Sequence, residues 1–518
     1  MNEHGESITQ KDGARQKGDD NDLMESRDKR SHDETYLSEH CVSMRAACRH
    51  CLSLFQDIEP RLDDLRIVLE NADMAKAQRL SSEHERNREE ACREFWSAAC
   101  SDADGCVPSI PEFHFQTGTT KLEEEQQQQV FTFQQEFHNR NLPCLVTGLE
   151  RRHFSFVHEN WRSQHNESEE TIKRQWFLET LGSDCQVPLR YNENSSHLDK
   201  DGRADECKTR NVTMKEWIQM LQDIQSGEKC SNGCSKPTYY LKDWHLQQIL
   251  EEERNQTSNP VDNPPCLYSC PSIFQHDLLN SFLRKFTKGD YRFCYWGPAK
   301  SSTLRHSDVL HSFSWSYNVQ GTKEWTFFSP FDDGDDTSFQ VIQRTGQAMF
   351  VPATWQHQVV NLEETISINH NWITTANLDL TWECLRTEMA AIRDELSKWQ
   401  GNGSNSNMEQ DLEACENMLR GCVGLDVSSF FFMTLVRLLE VTKNLMDLHG
   451  RGDIGTTHER TAQFDTFRLV EVLKRVMGSD QDLVQLQGRL CAVLQSNTLA
   501  ADAESTVKSL IDWVESLQ

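Results

Sequence analysis

The chain has 518 residues, with 81 acidic against 53 basic side chains and a formal charge of −28. That length allows two or three domains and a sizeable core. A surface this negative disfavours nucleic-acid phosphate and suits a basic partner or basic peptide, although acidity also serves solubility alone.

The chain opens Met1-Asn2-Glu3-His4-Gly5-Glu6 and stays polar through residues 1–40, which predicts a disordered acidic and polar tail. It lacks the apolar core of a signal peptide, and no apolar run of about 18 residues follows. A soluble, cytoplasmic protein without a membrane partner is expected, with a nuclear pool allowed. Its 18 cysteines are then expected mostly as free thiols.

Residues 41–105 turn helical. Leu52, Phe55, Ile58, Leu62, Leu65 and Leu69 recur at spacings of three and four, the pattern of a helical hairpin or coiled-coil-like appendage. Within it Cys48-Arg49-His50-Cys51 has a metal-like spacing but no second pair, so both are read as helical thiols.

Residues 106–290 are predicted to mix helices and loops. The run from Glu123 to Gln129 reads as an exposed helix start. Asn141 to Leu149 reads as a short strand ending in a turn. Thr213 followed by Glu216, Trp217, Met220 and Leu221 predicts a capped helix. Residues 225–236 and 253–265, rich in Ser, Asn, Gly and Pro, are expected as loops. Cys230, Cys234, Cys266 and Cys270 make a four-thiol set at the wide end of zinc-site spacing, and loose surface thiols are the alternative.

Residues 291–375 read as short strands. From Ser312 to Gln320, Phe313, Trp315, Tyr317 and Val319 alternate with Ser314, Ser316, Asn318 and Gln320. From Thr365 to Trp372, Ile366, Ile368, His370 and Trp372 alternate with Thr365, Ser367, Asn369 and Asn371. Strands with one apolar and one small polar face suit a polar-mouthed barrel packed outside by helices. The expected fold is therefore a mostly β core, a double-stranded β-helix of the jelly-roll and cupin kind, with flanking helices.

Residues 376–518 are predicted all-helical. The candidate helices run from Leu378 to Trp399, Met408 to Leu419, Ser428 to Leu448, Phe467 to Val476, Leu483 to Leu494 and Ser505 to Leu517. Gly401 to Asn407 and His449 to Thr457 are expected as linkers, and Arg451-Gly452-Asp453 as linker sequence rather than an adhesion motif. Phe430, Phe431, Phe432, Leu435, Leu438, Leu439 and Val441 are too apolar for a lone surface helix. Packing on the barrel is favoured for them, with a homodimer through these helices as the alternative.

The chemistry centres on Thr303-Leu304-Arg305-His306-Ser307-Asp308 and, far downstream, Trp355-Gln356-His357-Gln358-Val359. Two histidines and a carboxylate can bind one face of an octahedral iron(II) and leave the other open. His306 and Asp308, two apart, point to the same side of a strand end, so His357 must come from another strand of a closed β-structure. Of the rival histidines, His311 does not share the face of Asp308 if the strand continues. His370 sits with Ile366 and Ile368 as a core residue. Lys323 shares a face with Trp325 and Phe327; it needs an anion if buried, or else it snorkels to water or pairs with an acidic neighbour.

Arg292 to Asp308, Ser312 to Trp325 and Met349 to Trp372 together resemble a jumonji-C oxygenase domain. Tyr239 to Leu246 and the segment from Asn377 to Trp399 extend the likeness to roughly residues 130–430, leaving 1–105 outside it. On this resemblance 106–290 is the first part of a catalytic domain and 291–375 its barrel. The resemblance implies iron(II) held by His306, Asp308 and His357, with 2-oxoglutarate and dioxygen as cosubstrates. It implies that Lys323 binds the distal carboxylate of 2-oxoglutarate, that Thr303 assists, and that Asn369 lines the pocket. Ser316 stands where several small members carry Asn, so it departs from the pattern. Within the family the likeness runs to hydroxylases of a lysine in the eukaryotic translation termination factor, which implies that protein as substrate partner. The rival readings are removal of N-methyl groups from lysine and a non-catalytic binding module, although a bare scaffold has no need of His306, Asp308, His357 and Lys323 together.

Overall fold

The computed structural model describes residues 44–62, 74–101, 110–116, 122–164, 170–192, 208–226, 238–256, 266–331, 337–400, 408–453, 456–477, 509 and 513. The predicted tail, the helices expected after Leu483, and Cys230 and Cys234 lie outside or almost wholly outside them.

Before the barrel come β1 (Glu112–His114), β2 (Cys144–Thr147), β3 (Arg162–Gln164), β4 (Glu170–Ile172), β5 (Gln186–Asn192), β6 (Lys208–Thr213) and β7 (Thr238–Trp244). The barrel itself is β8 (Arg292–Gly297), β9 (Ser302–His306), β10 (Phe313–Gln320), β11 (Lys323–Phe328), β12 (Ser338–Gln343), β13 (Ala348–Val351), β14 (His357–Asn361) and β15 (Thr365–Trp372). A nine-stranded sheet runs β1-β2-β13-β10-β15-β8-β7-β5-β6, and a four-stranded sheet runs β12-β11-β14-β9. The eight barrel strands thus divide evenly between two facing sheets, with hairpin-like antiparallel pairs inside each. This is the cupin-like double-stranded β-helix that the alternating pattern predicted.

Every residue of β10 and β15 is buried. Their apolar faces, including Trp315, Tyr317, Ile368 and Trp372, join one core with Trp161, Phe177, Trp217 and Trp244 from the preceding helices and β7. Their polar faces turn into the barrel. A second apolar cluster closes the barrel interior: Trp325, Phe327, Phe339, Val341, Met349 and Val351 meet Ala91, Cys92 and Trp96 of the helix Met74–Ser101. At the β10–β11 turn, Gly321 has φ +95°, and a Cβ there would sit 2.4 Å from Thr365 Oγ1. Only glycine meets both demands.

The capped helix is present as Met214–Gln225, with the reciprocal Thr213–Glu216 capping box. Three expectations need correction. Residues 253–256 are not loop but the last turn of the helix Leu246–Gln256, which is fastened where Glu251 takes a bidentate bond from Arg292 at 2.6 and 2.9 Å. The linker expected from His449 is shorter, because the helix Val427–Arg451 continues until Gly452 turns left-handed at φ +78° and its N–H reaches the His449 carbonyl. His449 then bridges to Glu459 at 2.6 Å, joining that helix to Thr457–Met477.

The described residues of 41–105 pack as two separate pieces rather than as a hairpin. The helical stretch 44–58 buries Met44, Cys48, Cys51 and Phe55 among Phe430, Phe431, Leu438 and Leu445 of the C-terminal helices. The helix Met74–Ser101 packs on the barrel instead. Each amphipathic face found a different partner, which periodicity alone does not specify. A buried ion network ties the ends together: Asp379 receives Arg88 at 2.7 Å and the fully buried Arg468 at 2.6 Å, while Arg468 also reaches Glu85 at 3.4 Å. The apolar face of Val427–Arg451 is covered within the chain itself.

Candidate metal centre

His306 ends β9 and His357 begins β14, and the two are cross-strand partners with ring centroids 4.4 Å apart. The β9–β14 register shifts between His357 and Val359. This irregularity puts Thr303 and His306, three apart, on one interior side and leaves Leu304 exposed. Asp308 lies past the strand in extended backbone, so it keeps the side of His306. The next turn is strained, with Leu310 at φ +59° and His311 at φ +47°. One ligand atom from each of His306, Asp308 and His357 lies within 4.8 Å of the other two, and this is the one such His/Cys/Asp/Glu group among the described residues.

The neighbours set the chemistry of each ligand. His306 Nδ1 lies 2.8 Å from the Leu304 carbonyl, and His357 Nδ1 lies 3.0 Å from the Trp355 carbonyl. A carbonyl only accepts, so both Nδ1 atoms carry the proton and both Nε2 lone pairs are available to a metal. Burial holds the His357 imidazole neutral, its pKa pushed down to about 4 despite Asp308 nearby. Ser314 Oγ donates to Asp308 Oδ2 at 2.6 Å and fixes that carboxylate. Two neutral nitrogens and one carboxylate are the donor set of a facial iron(II) site, with the remaining positions free for other ligands.

Lys323 stands deeper in the same cavity, 2% exposed. It donates to Ser316 Oγ at 3.1 Å and Ser367 Oγ at 2.6 Å, and no carboxylate among the described residues pairs with it. Burial therefore pushes its pKa down to about 7. An ammonium beside two hydroxyls, with no counter-ion of its own, fits the far carboxylate of a dicarboxylate. Asn369 donates to Ser367 Oγ at 3.0 Å and lines the cavity, as does Thr303. All seven residues singled out in the sequence border this one cavity.

The rivals lie elsewhere. His311 directs Nδ1 to the Leu380 carbonyl at 3.3 Å. His370 packs on Trp315 and meets Asp277 at 3.0 Å, inside the core. Cys266 Sγ contacts the Tyr268 carbonyl, and Cys270 Sγ the Phe274 carbonyl at 3.5 Å.

Sequence reasoning missed Tyr240, Lys242 and Tyr295, which border the cavity from β7 and β8. Asp243 at φ +59° accompanies a register shift between Leu241 and Trp244. That bulge lets Leu241 and Trp244 both enter the core while Tyr240 and Lys242 face the cavity. Ser314 and Ser367 were legible as small polar positions of the alternating strands, but not as partners of Asp308 and Lys323.

Residues 337–372 match the family model described as JmjC domain, hydroxylase. The chain is 33% identical over 249 residues to the 2-oxoglutarate and iron-dependent oxygenase JMJD4 of Danio rerio, covering 42% of this chain and 54% of that one. It is 29% identical over 383 residues to the protein of the same name from Mus musculus, covering 65% and 80% respectively. It is also 26% identical over 344 residues to the arginine-specific demethylase JMJ20 of Arabidopsis thaliana, covering 58% and 66%. The matched length thus runs from about half of the zebrafish relative to four fifths of the mouse one. The chain is thus similar to relatives named as 2-oxoglutarate and iron-dependent oxygenases, and residues 337–372 carry the match to the JmjC domain.

Proposed function

We propose that this chain is a protein hydroxylase that oxidises a lysine side chain, with the translation termination factor as its substrate and the cytoplasm as its place of work. One observation carries the reading: His306, Asp308 and His357 converge within 4.8 Å in the same cavity as the unpaired buried ammonium of Lys323.

His306, Asp308 and His357 would hold the iron, and Lys323 with Ser316, Thr303 and Asn369 would hold the far end of 2-oxoglutarate. The bound group supplies the oxidising power that turns 2-oxoglutarate, dioxygen and a C–H bond into succinate, carbon dioxide and an alcohol. The protein supplies placement. The Leu304 and Trp355 carbonyls keep the Nδ1 protons and so aim both imidazoles. Ser314 holds the carboxylate in register. Ser316 and Ser367 keep Lys323 pointed at its anion. Tyr240 and Tyr295 give the substrate side apolar faces, and the Tyr295 hydroxyl is anchored on Asp243 at 2.8 Å. The net charge of −28 favours approach of a lysine-bearing basic segment and disfavours nucleic acid.

Removal of N-methyl groups is the second reading, favoured by the name of the plant relative, an arginine-specific demethylase. It differs only in which carbon the substrate presents. Succinate release from 2-oxoglutarate with iron(II), measured with and without the recombinant termination factor and followed by intact mass, separates them. A gain of one oxygen on a lysine supports hydroxylation, and loss of a methyl group moves the protein to the demethylases. Absence of factor-dependent turnover and of any mass change sinks the proposed substrate.

A further inference from the structure

The helix Met74–Ser101 belongs to the part of the chain outside the family resemblance, yet it packs on Trp355, two residues before the ligand His357. Trp96 is 3% exposed and stacks on Trp355, with centroids 5.5 Å apart and planes at 25°. Phe95 meets the same indole edge-on at 5.5 Å, and Phe327 meets it from the barrel side at 6.0 Å. The carbonyl of Trp355 is the acceptor that fixes the Nδ1 proton of His357. Next to it, Thr354 sits at φ +69°, a conformation that a β-branched residue keeps only where its surroundings over-determine it. The Trp96 indole N–H has no acceptor, so apolar packing holds it in place. The far end of the helix is braced: His84 Nε2 reaches the Ala376 carbonyl at 2.9 Å, and Arg88 pairs with Asp379.

We propose that Trp96, aided by Phe95, is a positioning residue for the metal ligand His357, acting by clamping Trp355 and its backbone carbonyl. The inference rests on the metal-site reading above. A tautomer held by one carbonyl is as rigid as the turn that carries the carbonyl. Here the turn is pressed from outside by a segment that contributes no ligand. Loss of an outer partner of a ligating histidine typically costs about 10–100-fold in metal affinity.

The test uses the full-length protein and cobalt(II) as the probe, reading affinity by titration and ligand geometry from the visible spectrum. Trp96→Ala is expected to weaken cobalt binding by about ten-fold or more and to change the spectrum. Trp96→Phe, which keeps a ring and loses no hydrogen bond, is expected to restore most of both. Trp382→Ala removes a comparably buried indole from the C-terminal cluster and controls for stability; it is expected to lower the Tm and leave cobalt binding alone. Wild-type affinity and spectrum in Trp96→Ala, alongside a lowered Tm, overturn the proposal and leave Trp96 a filler of the barrel end. If Trp96→Ala does not fold, Phe95→Ala and Trp96→Leu, which keeps bulk and loses the ring, carry the same comparison, and unchanged binding in both overturns it equally. Failure of the metal reading looks different: His306→Ala then binds cobalt like the wild type, and the inference falls with it.

Discussion

The four-stranded and nine-stranded sheets face the same cavity and give it different chemistry. His306, Lys323 and His357 come from the small sheet, and Asp308 from the turn that leaves it. The large sheet gives hydroxyls and amides: Ser314, Ser316, Ser367, Asn369 and Asn371. On β10 and β15 the large sheet is buried on both faces and its lining groups are neutral, while β7 adds Lys242 at the rim beside the bulge at Asp243. The small sheet carries the groups that metal and anion must neutralise. It is also where a register irregularity and left-handed residues re-aim side chains. Charged groups need a counter-charge to be stable in so dry a place, whereas hydroxyls need only one another.

Removing a charged group should therefore abolish function at little cost in stability. His306→Ala or Asp308→Ala is expected to eliminate succinate release completely while far-UV circular dichroism stays native. Retained turnover in either variant breaks the assignment of the small sheet. Lys323→Met is expected to raise the KM for 2-oxoglutarate by about 10–100-fold, the loss of a charge-assisted contact, without lowering the Tm, since an uncompensated buried charge goes with it.

Acidity gives a finer cut. The Lys323 pKa lies at about 7 in the fold, below the unfolded value of about 10.4. Between those values the unfolded chain binds more protons, so this group makes the fold more stable as pH rises through the window. An anion that needs the ammonium must then bring a proton with it. Affinity for 2-oxoglutarate should fall by up to about ten-fold per pH unit above about pH 7. Calorimetric titration at pH 8 in two buffers of different ionisation enthalpy should show proton uptake in the wild type and none in Lys323→Met; equal heats in the wild type would refute it. The smallest effect is expected from the neutral lining of β10. Ser314→Ala removes one hydrogen bond to Asp308 and should weaken metal binding several-fold, to about ten-fold, checked by the same titration.

Much of the site was legible because a strand writes its two faces in alternation. Phe313-Ser-Trp-Ser-Tyr shows a core face and a lining face in the sequence itself, and the two-residue spacing of His306 and Asp308 survives the end of β9. Tyr240 and Lys242 were hidden because a bulge at Asp243 breaks the alternation that would have revealed them. The packing of residues 44–58 and 74–101 was illegible for a different reason. A 3.6-residue period says that a helix has an apolar face, and nothing local says which distant surface covers it.

The Arg468–Asp379–Arg88 network, with Glu85 beside it, bears on how the molecule is made. Glu85 and Arg468 are separated by 383 residues. During synthesis the early helix emerges long before its partner, and the barrel strands emerge between them. Until Arg468 has left the ribosome, Asp379 and the helix that reaches Trp355 lack their final brace. Contacts of such sequence separation form late and slowly, so a nascent chain leaves Trp96 without Trp355 for about half of its synthesis and has reason to engage chaperones there.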